Sequence, residues 1–459
     1  MANPPDLLAQ ALAHHQEGRL AEAEALYRKL LDRQPNHPDA LHLLGVAALG
    51  AGRHAEAVDW ISRAIRVQGN SAAVHNNLGE AYRAMGNHEL AIAAYQQALR
   101  LRPDFAAAHN NLGTIFQSEQ RTKEAIACFD RAIAARPEYA NAHYNRARAW
   151  LSEGNFLDGW REYEWRWRRE EFRRLPLPQP EWDGSPLAGR RLLIRAEQGL
   201  GDTLQFIRYL PLLQSQGHSA MAEVQPELVP LLAQSGIGPL VARGAPLPQF
   251  DVHASLLSLP RLLGTTLETI PAGDAYLSVD EELVRTWRAN LERIAGLRVG
   301  ICWQGSPQYV HDNVRSIALA RFAPLARVPG VRLVCLQKGF GLEQLASLAD
   351  PFEIVDLRPD YDHQDGAFLN AAATICNLDL VITSDTAMAH LAGALGARVW
   401  VLLSTSADWR WLQQREDCPW YPTMRLFRQT ERGDWPGLFE RVAEALSGEA
   451  AEAAKQPRR

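Results

Sequence analysis

The chain has 459 residues, 47% of them hydrophobic and 22% charged, which is the composition of a folded globular protein rather than a disordered or fibrous one. Its formal net charge of −5 lacks the basic excess with which a protein binds nucleic-acid phosphates. Nucleic acid is therefore not an expected partner.

The N-terminal residues and the cysteines indicate the cellular compartment of the protein. Residues 1–10 carry two prolines and an aspartate where a signal peptide needs a basic start and an apolar run. No stretch approaches the apolar length of a membrane-spanning helix. The five cysteines are scattered without a CxxC pair, a pattern typical of buried thiols in a reducing compartment rather than of a disulfide framework or structural zinc. The sequence therefore predicts a cytoplasmic protein without a membrane span.

The N-terminal third repeats with a period of 34 residues. Small residues recur where two antiparallel helices approach closely, large ones fill the next layer, and proline ends the second helix because it cannot continue it. These columns resemble the tetratricopeptide repeat (TPR) and predict an array over residues 1–173, in about five units that begin near Pro4, Pro38, Ala72, Ala106 and Ala140. The columns are Gly45, Gly79 and Gly113; Ala23, Ala57, Ala91 and Ala125; Tyr27, Ile61, Tyr95, Phe129 and Tyr163; and Pro35, Pro103 and Pro137.

Asparagines recur on the same grid, at Asn77, Asn111 and Asn145, in the first helix of successive units. Side-chain amides at this spacing could bond the backbone of a bound peptide without reading its sequence. They resemble the asparagine ladder in the repeats of O-linked N-acetylglucosamine transferase. The other interpretation, that asparagine is simply common at this repeat position, stays open. The array predicts a protein or peptide partner, with these three residues as candidate acceptor-binding side chains.

An aromatic and charged helix is predicted over residues 159–167. Such a density of aromatic and charged side chains indicates packing between parts of the protein, with the tryptophans buried and the arginine guanidinium groups reaching solvent. Stacking on nucleic acid is the less favoured interpretation. The prolines that follow interrupt any helix, so residues 174–190 are predicted to be a linker.

From Arg191 onward, short apolar runs alternate with helical patterns, which predicts βαβ units and parallel sheets. The pattern restarts near Leu297, dividing the region into two Rossmann-like halves, residues 191–296 and 297–446, with ligands expected in a cleft at the carboxyl ends of strands. The small polar residues 447–459 predict a disordered tail. The predicted strands are Leu192–Ala196, Ala220–Val224, Arg298–Trp303, Val331–Gln337, Leu380–Thr383 and Arg398–Leu403.

The first predicted strand runs into a glycine-rich turn that opens a helix and contains Gly201 and Asp202. Glycine allows tight turning beside a ligand, and Asp202 could deprotonate an acceptor hydroxyl as a general base. Alternatively, Asp202 with Gln205 three residues later forms a capping box that needs no substrate. The spacing supports both interpretations equally.

A second strand-to-helix junction carries Ser384, Asp385 and Thr386, with His390 about one turn into the helix. Small hydroxylated residues there expose backbone N–H groups, which together with the helix dipole favour a diphosphate. A lone histidine in such a helix is more often a satisfied core residue than a ligand contact.

Together, Gly201-Asp202, Asp385-Thr386 and residues 390–392 resemble the motifs of the ADP-heptose:lipopolysaccharide heptosyltransferases, over roughly residues 191–446. The resemblance implies the GT-B fold, and hence an overall α + α/β class, with an acceptor-side first half and a nucleotide-sugar-side second half. It implies an inverting reaction with a nucleotide-sugar co-substrate and no metal or other cofactor. By this match Asp202 is the general base, and Asp385 and Thr386 contact the donor.

A cation is expected near the leaving diphosphate when no metal neutralises it. Arg315, which follows the loop with Gly305 and Ser306, is the first candidate, in place of the lysine usual in that family. Lys338, after the next predicted strand, is the second. Residues 404–411 depart from the heptosyltransferases and resemble a bacterial group that joins repeats to a glycosyltransferase-like domain. Their aromatic side chains could stack on a base, line an acceptor channel or pack in the core.

Two functions remain open from the sequence. The first is a metal-independent, inverting glycosyltransferase whose repeats present a protein acceptor, as in O-linked N-acetylglucosamine transferase and the repeat-bearing flagellin glycosyltransferases. The second is a non-catalytic scaffold for assembly with a degenerate sugar-nucleotide fold. Joint retention of Asp202, Asp385, Thr386 and His390 favours the enzyme. An oxidoreductase is disfavoured because no GxGxxG follows a strand.

Overall fold

A computed structural model describes residues 4–172, 176–273, 275–308, 312–357 and 367–455 of the chain. It divides into two compact units, residues 1–149 and residues 150–459. The predicted class is confirmed, because helical repeats are followed by a region with parallel sheets.

Unit 1 is built from antiparallel helix pairs. The first helix of each pair begins at the residue that the 34-residue grid predicts. The pairs are α1 (Pro4–Gln16) with α2 (Leu20–Arg33), α3 (Pro38–Gly50) with α4 (His54–Val67), α5 (Ala72–Ala84) with α6 (His88–Leu101), and α7 (Ala106–Ser118) with α8 (Thr122–Ala135); α9 (Ala140–Glu153) begins the fifth pair.

The glycine column is the point of closest helix approach within a pair. A Cβ atom added to Gly79 would lie 2.5 Å from Cε1 of Tyr95, and one added to Gly113 would lie 2.6 Å from Cε1 of Phe129. Real atoms do not approach so closely, so the large-residue column fills the space that the glycines leave. The 34-residue columns therefore encode the packing between the two helices of a repeat.

The fifth helix pair ends in unit 2. Its second helix, α10 (Phe156–Tyr163), continues into short 3₁₀ turns at Glu164–Arg168 and Glu170–Phe172. Trp160 of α10 is buried against rings of this unit, edge-on to Trp409 at a centroid distance of 5.2 Å. The sequence grid extends the array to residue 173, whereas unit 1 ends at residue 149, because these aromatic side chains pack with the sheet region of unit 2.

The first sheet of unit 2 has four parallel strands in the order β3-β2-β1-β4. Helices connect β1 to β2 and β2 to β3, a loop connects β3 to β4, and a longer helix, α15, leads to the second sheet. The elements are β1 (Leu192–Arg195), α11 (Leu200–Phe206), α12 (Tyr209–Ser215), β2 (Ala220–Val224), α13 (Val229–Gln234), β3 (Leu240–Ala242), β4 (Val252–Ser255), α14 (Leu259–Leu262) and α15 (Glu281–Leu291).

The second sheet has six parallel strands in the order β10-β9-β8-β5-β6-β7, the strand order of a doubly wound α/β sheet. Its core lies between the sheet and the C-terminal helix. The elements are β5 (Leu297–Cys302), α16 (Asp312–Arg315), α17 (Ala323–Ala326), β6 (Val331–Cys335), β7 (Ile354–Val355), α18 (Ala367–Ile375), β8 (Leu380–Ser384), α19 (Ala387–Ala394), β9 (Val399–Leu403), β10 (Met424–Arg428) and α20 (Trp435–Lys455).

The predicted disordered tail is wrong over most of its length. Helix α20 continues to Lys455, and residues 456–459 lie outside the described residues. Alanine and glutamate, which dominate this stretch, are strong helix formers. Leu446 is buried, Ala450 packs against the core, and Glu449 pairs with Arg398. These contacts keep the segment helical, although its small residues suggested disorder.

The strand orders identify where each sheet would bind a ligand. The side on which successive strands are added switches at β1 in the first sheet, which lies between β2 and β4, and at β5 in the second, which lies between β6 and β8. Ligands of open parallel sheets bind beyond the carboxyl ends of strands at such switch points. The loops after β1, β5 and β8 hold most of the predicted site residues.

Candidate functional site

The two sequence motifs meet in unit 2. A Cβ atom added to Gly201 would lie 2.8 Å from Cδ2 of His390 and 3.4 Å from Cα of Ala387. Helix α11 of the first half therefore packs directly against α19 of the second half, and only glycine fits at this point of contact. The two motifs therefore lie side by side, and their service of one site stays a prediction.

Asp202 is held by contacts from both halves. Its Oδ2 atom accepts a hydrogen bond of 2.8 Å from the backbone N–H of Gly199, and its Oδ1 atom pairs with the guanidinium of Arg410. The capping alternative was wrong in its register, because Gly199 is the N-cap of α11 and Asp202 is the third helical residue. Gln205, the predicted capping partner, is instead fully buried. Asp202 therefore caps its helix and also faces the second half.

Arg410 is the central cation of this site, and sequence reasoning missed it. Its side chain is only 9% exposed and lies between two carboxylates, donating to Asp408 Oδ1 at 2.7 Å as well as pairing with Asp202. Asp408 also caps the short 3₁₀ turn Trp409–Trp411 that carries the arginine. The available signal for a buried cation was an arginine between two tryptophans. The aromatic side chains instead suggested stacking on a nucleotide base or packing in the core.

The loop after β8 is organised by hydroxyl groups. Thr386 caps α19, its Oγ1 accepting from the N–H of Met388 at 3.3 Å, and it also lies 3.2 Å from Oγ1 of Thr383. The Ser384 hydroxyl is buried and has no hydrogen-bond partner among the described residues. This junction therefore presents a helix N-terminus and one unused buried hydroxyl.

Asp385 lies in an environment that disfavours its charge. Burial, and then the neighbouring carboxylate of Asp408, raise the pKa of Asp385 to about 6, while Arg315 and Arg410 act in the opposite direction. Carboxylates and guanidinium groups from three loops therefore share one electrostatic environment.

His390 lies in the core beside that environment. Its ring stacks on Trp411 at a centroid distance of 5.1 Å, and Nδ1 lies 3.0 Å from the Tyr421 hydroxyl. Burial and the charge of Arg410 lower the pKa of His390 to about 3. His390 therefore forms a neutral wall of the site, and a direct donor contact stays a prediction.

We expect the His390 imidazole to stay neutral from pH 7 down to about pH 4. An unfolded histidine has a pKa near 6.5, whereas that of folded His390 is about 3, so the folded state binds fewer protons between these values. Its contribution to stability is therefore present above about pH 6.5 and is lost as the pH falls toward 3. NMR of histidine-labelled protein, with His390→Gln to assign the signal, measures this titration. An imidazole that titrates near its ordinary pKa contradicts the burial described.

The remaining predicted donor-binding residues are placed differently. Arg315 pairs with Asp312 at 3.0 Å, packs against Gly305, and is close enough to Asp385 to lower its pKa. Ser306, in the same loop, and Lys338, in the loop after β6, are both exposed. Arg315 thus shares the electrostatic environment of Asp385, and roles for Ser306 and Lys338 stay predictions.

A buried ion network anchors the loop that precedes Asp202. Arg166, fully buried, makes two hydrogen bonds of 2.9 and 3.0 Å to the carboxylate of Glu197, and a third of 2.8 Å to Glu164. Gln198 donates to the Tyr163 hydroxyl at 3.1 Å. The predicted solvent exposure of the arginine heads is therefore wrong for Arg166, because the paired carboxylates satisfy its charge away from water.

The asparagines of unit 1 bond one another. Buried Asn76 and Asn110 lie beside the predicted Asn77 and Asn111, and hydrogen bonds to them from Asn111 and Asn145 make a ladder that crosses from repeat to repeat. Peptide binding by this ladder stays a prediction, and each of its three amides already uses donors within the array. The contacts are Asn145 Nδ2 to Asn110 Oδ1 at 2.9 Å, Asn110 Nδ2 to Asn111 Oδ1 at 3.2 Å, Asn111 Nδ2 to Asn76 Oδ1 at 3.1 Å, Asn76 Nδ2 to Asn77 Oδ1 at 3.3 Å, and Asn77 Nδ2 to His42 Nε2 at 2.9 Å.

Comparison with known proteins confirms the repeats. Families described as TPR repeat or tetratricopeptide repeat match residues 14–80, 79–120 and 115–159. Protein FlbA of Caulobacter vibrioides is 31% identical over 336 residues, which are 67% of this chain and 55% of FlbA. The chain thus spans little more than half the length of that relative.

The chain is similar to several solved structures, one of them a thermophilic TPR protein. MamA is 23% identical with a TM-score of 0.31, covering 35% of this chain and 94% of MamA. A thermophilic TPR protein of Thermus thermophilus is 21% identical with a TM-score of 0.33, covering 37% of this chain and 92% of that protein. PilW, a type IV pilus biogenesis factor, is 20% identical with a TM-score of 0.34, covering 37% of this chain and 80% of PilW.

The described residues contain neither a membrane-spanning helix nor a cluster of metal ligands. None of their helices combines the length and apolarity needed to cross a bilayer. Their histidine, cysteine, aspartate and glutamate side chains form no group of three or more that could hold a metal ion.

Proposed function

We propose that the protein is an inverting glycosyltransferase that moves a sugar from a nucleotide-sugar donor, without a metal ion, to a protein held by the TPR array. The observation that carries this proposal is the contact of two switch-point loops. Gly201 lies against Ala387 and His390, and Asp202 reaches the arginine that follows β9. One carboxylate and a helix N-terminus suited to a diphosphate therefore border the same site.

The residues divide the reaction between them. The start of α19, with Ser384 and Thr386, offers backbone N–H and hydroxyl groups that can hydrogen-bond to the diphosphate of the nucleotide sugar. Arg315 adds positive charge beside it. Asp202 takes the proton of the acceptor hydroxyl as its oxygen bonds to the anomeric carbon. The bond from that carbon to the phosphate oxygen breaks at the same time, so the configuration inverts and the nucleoside diphosphate leaves.

The array supports a protein acceptor. TPR units bind protein segments, and an array of this length would be superfluous for a saccharide acceptor. The free cysteines of the described residues, four of them buried, suit a reducing compartment, so we place the protein in the cytoplasm.

One observation favours the alternative, a scaffold whose sugar-nucleotide fold is inactive. Both carboxylate oxygens of Asp202 are engaged, one by the Gly199 N–H and the other by Arg410. A residue that serves only to join two halves would look the same. The two functions differ in whether a nucleotide sugar binds.

A panel of nucleotide sugars in a thermal-shift assay separates the two functions. A ligand that binds only the folded state raises the melting temperature, by an amount that grows with its concentration. We expect one base and sugar combination to raise it, and the corresponding free sugar to leave it unchanged as the control. No shift with any nucleotide sugar would leave the scaffold as the better description.

A further inference from the structure

We propose that Arg410 is the residue that binds the donor's diphosphate, and that the diphosphate competes with Asp202 for it, so that donor binding releases the general base. This inference rests on the proposed function and deepens it. It assigns the role of the leaving-group cation to a residue outside both motifs that identified the site.

The position of Arg410 is the first argument. It pairs with Asp202 of the first half while lying on the loop after β9, at the carboxyl edge of the second sheet. The side chain packs over the Trp409 ring, with its guanidinium carbon 4.2 Å from the ring centroid. Its Nε atom is buried and has no hydrogen-bond partner among the described residues. A rigid, desolvated guanidinium with unused donors is suited to a phosphate.

The charges nearby are the second argument. Asp202 and Asp408 both pair with Arg410, and its positive charge also acts on Asp385. A nucleoside diphosphate added here would bring further negative charge beside three carboxylates. Binding is therefore favourable only if Arg410 exchanges one carboxylate for phosphate oxygens.

Asp202 is the carboxylate that can be exchanged. Asp408 is two residues from Arg410 in the same turn and also caps that turn, so it moves with the arginine. Asp202 belongs to the other half and keeps its hydrogen bond from Gly199 when Arg410 turns away. The exchange would leave Asp202 with one free oxygen directed at the site, which is what a general base requires.

The other cations fit this role less well. Arg315 pairs with Asp312 within its own short helix, and Lys338 is exposed in the loop after β6. Arg208 is buried nearby but donates to backbone oxygens of Gln205 and Trp420 and to the Tyr276 hydroxyl. Within the part of the chain that the structure describes, only Arg410 forms an ion pair between the predicted base and the donor half.

The test is calorimetric titration of the full chain with UDP, GDP, ADP and CDP. For the diphosphate that wild type binds, Arg410→Gln is expected to weaken binding by about 10–100-fold, because charged hydrogen bonds are lost. Asp202→Asn is expected to tighten it by about 3–10-fold, because a competing anion is removed. Arg415→Gln, an exposed arginine paired with Asp417, is the matched control and should leave the affinity unchanged.

The outcomes separate this inference from the proposed function. If wild type binds none of the four diphosphates, both fail. If wild type binds one, and either Arg410→Gln binds equally well or Asp202→Asn does not bind more tightly, the competition is overturned while the glycosyltransferase proposal stands. Circular dichroism checks that each variant folds, and Arg410→Lys, together with the Asp202→Asn comparison, decides the matter should Arg410→Gln unfold.

Discussion

Asp202→Asn is expected to slow sugar transfer by about 100- to 10,000-fold, the usual contribution of a positioned general base. Asparagine keeps an oxygen for the Gly199 N–H, so the cap of α11 and the fold should survive. It cannot accept the proton of the acceptor hydroxyl. Single-turnover transfer with the donor found in the thermal-shift panel measures the effect, and melting temperature reports on folding.

The matched control is Asp251→Asn, which alters an exposed carboxylate of the same half that pairs with Arg191. Its transfer rate should stay within a few-fold of wild type. Were Asp202→Asn to transfer sugar as fast as this control, Asp202 would be a helix cap and inter-half contact only, and another residue would have to act as the base.

Arg166→Met is expected to destabilise unit 2 by about 3–5 kcal/mol, the cost of removing one partner from a buried ion pair. The substitution removes the positive charge that pairs with Glu197 and leaves Glu164 only the more distant Arg261, at a position where the arginine side chain is fully buried. Glu197 lies in the loop that leads to Asp202, so transfer should fall as well. Denaturant unfolding of the full chain, with a probe in unit 2, measures the loss.

Two variants make this result specific. Arg161→Met changes an arginine of the same segment whose side chain is 77% exposed, and should alter stability by less than about 0.5 kcal/mol. Adding Glu197→Gln to Arg166→Met should recover part of the lost stability, because one uncompensated charge is removed. A loss below about 1 kcal/mol for Arg166→Met would mean that water reaches the network, contrary to the burial of Arg166.

The repeats could be predicted from sequence in detail because their information is local and periodic. Each glycine of this column is tied to a large side chain sixteen residues later, as with Gly79 and Tyr95, and the same geometry recurs at Gly45 and Gly113. Strands with continuous apolar runs were also predicted to within two residues at their ends. The strands β3, β4, β7 and β10 were not predicted, since they are short or, like Met424–Arg428, alternate with charged residues.

The site was only partly predictable, for a different reason. Strand-to-helix junctions have a local signature, so Asp202 and Asp385 could be singled out and placed at one edge. Arg410 and Arg166 act through partners 208 and 31 residues away in the chain, and no local pattern encodes such pairing. Both were seen only as charges among aromatic residues. Their partners also explain why buried arginines are tolerated in these segments.

The most direct test of sugar transfer to protein is the intact mass of proteins incubated with the full chain and the donor that raises its melting temperature. We expect at least one protein bound by the chain to gain the mass of the donor's sugar with wild type, and no gain with Asp202→Asn. Unchanged masses for every bound protein, with a donor that demonstrably binds, would contradict a protein acceptor.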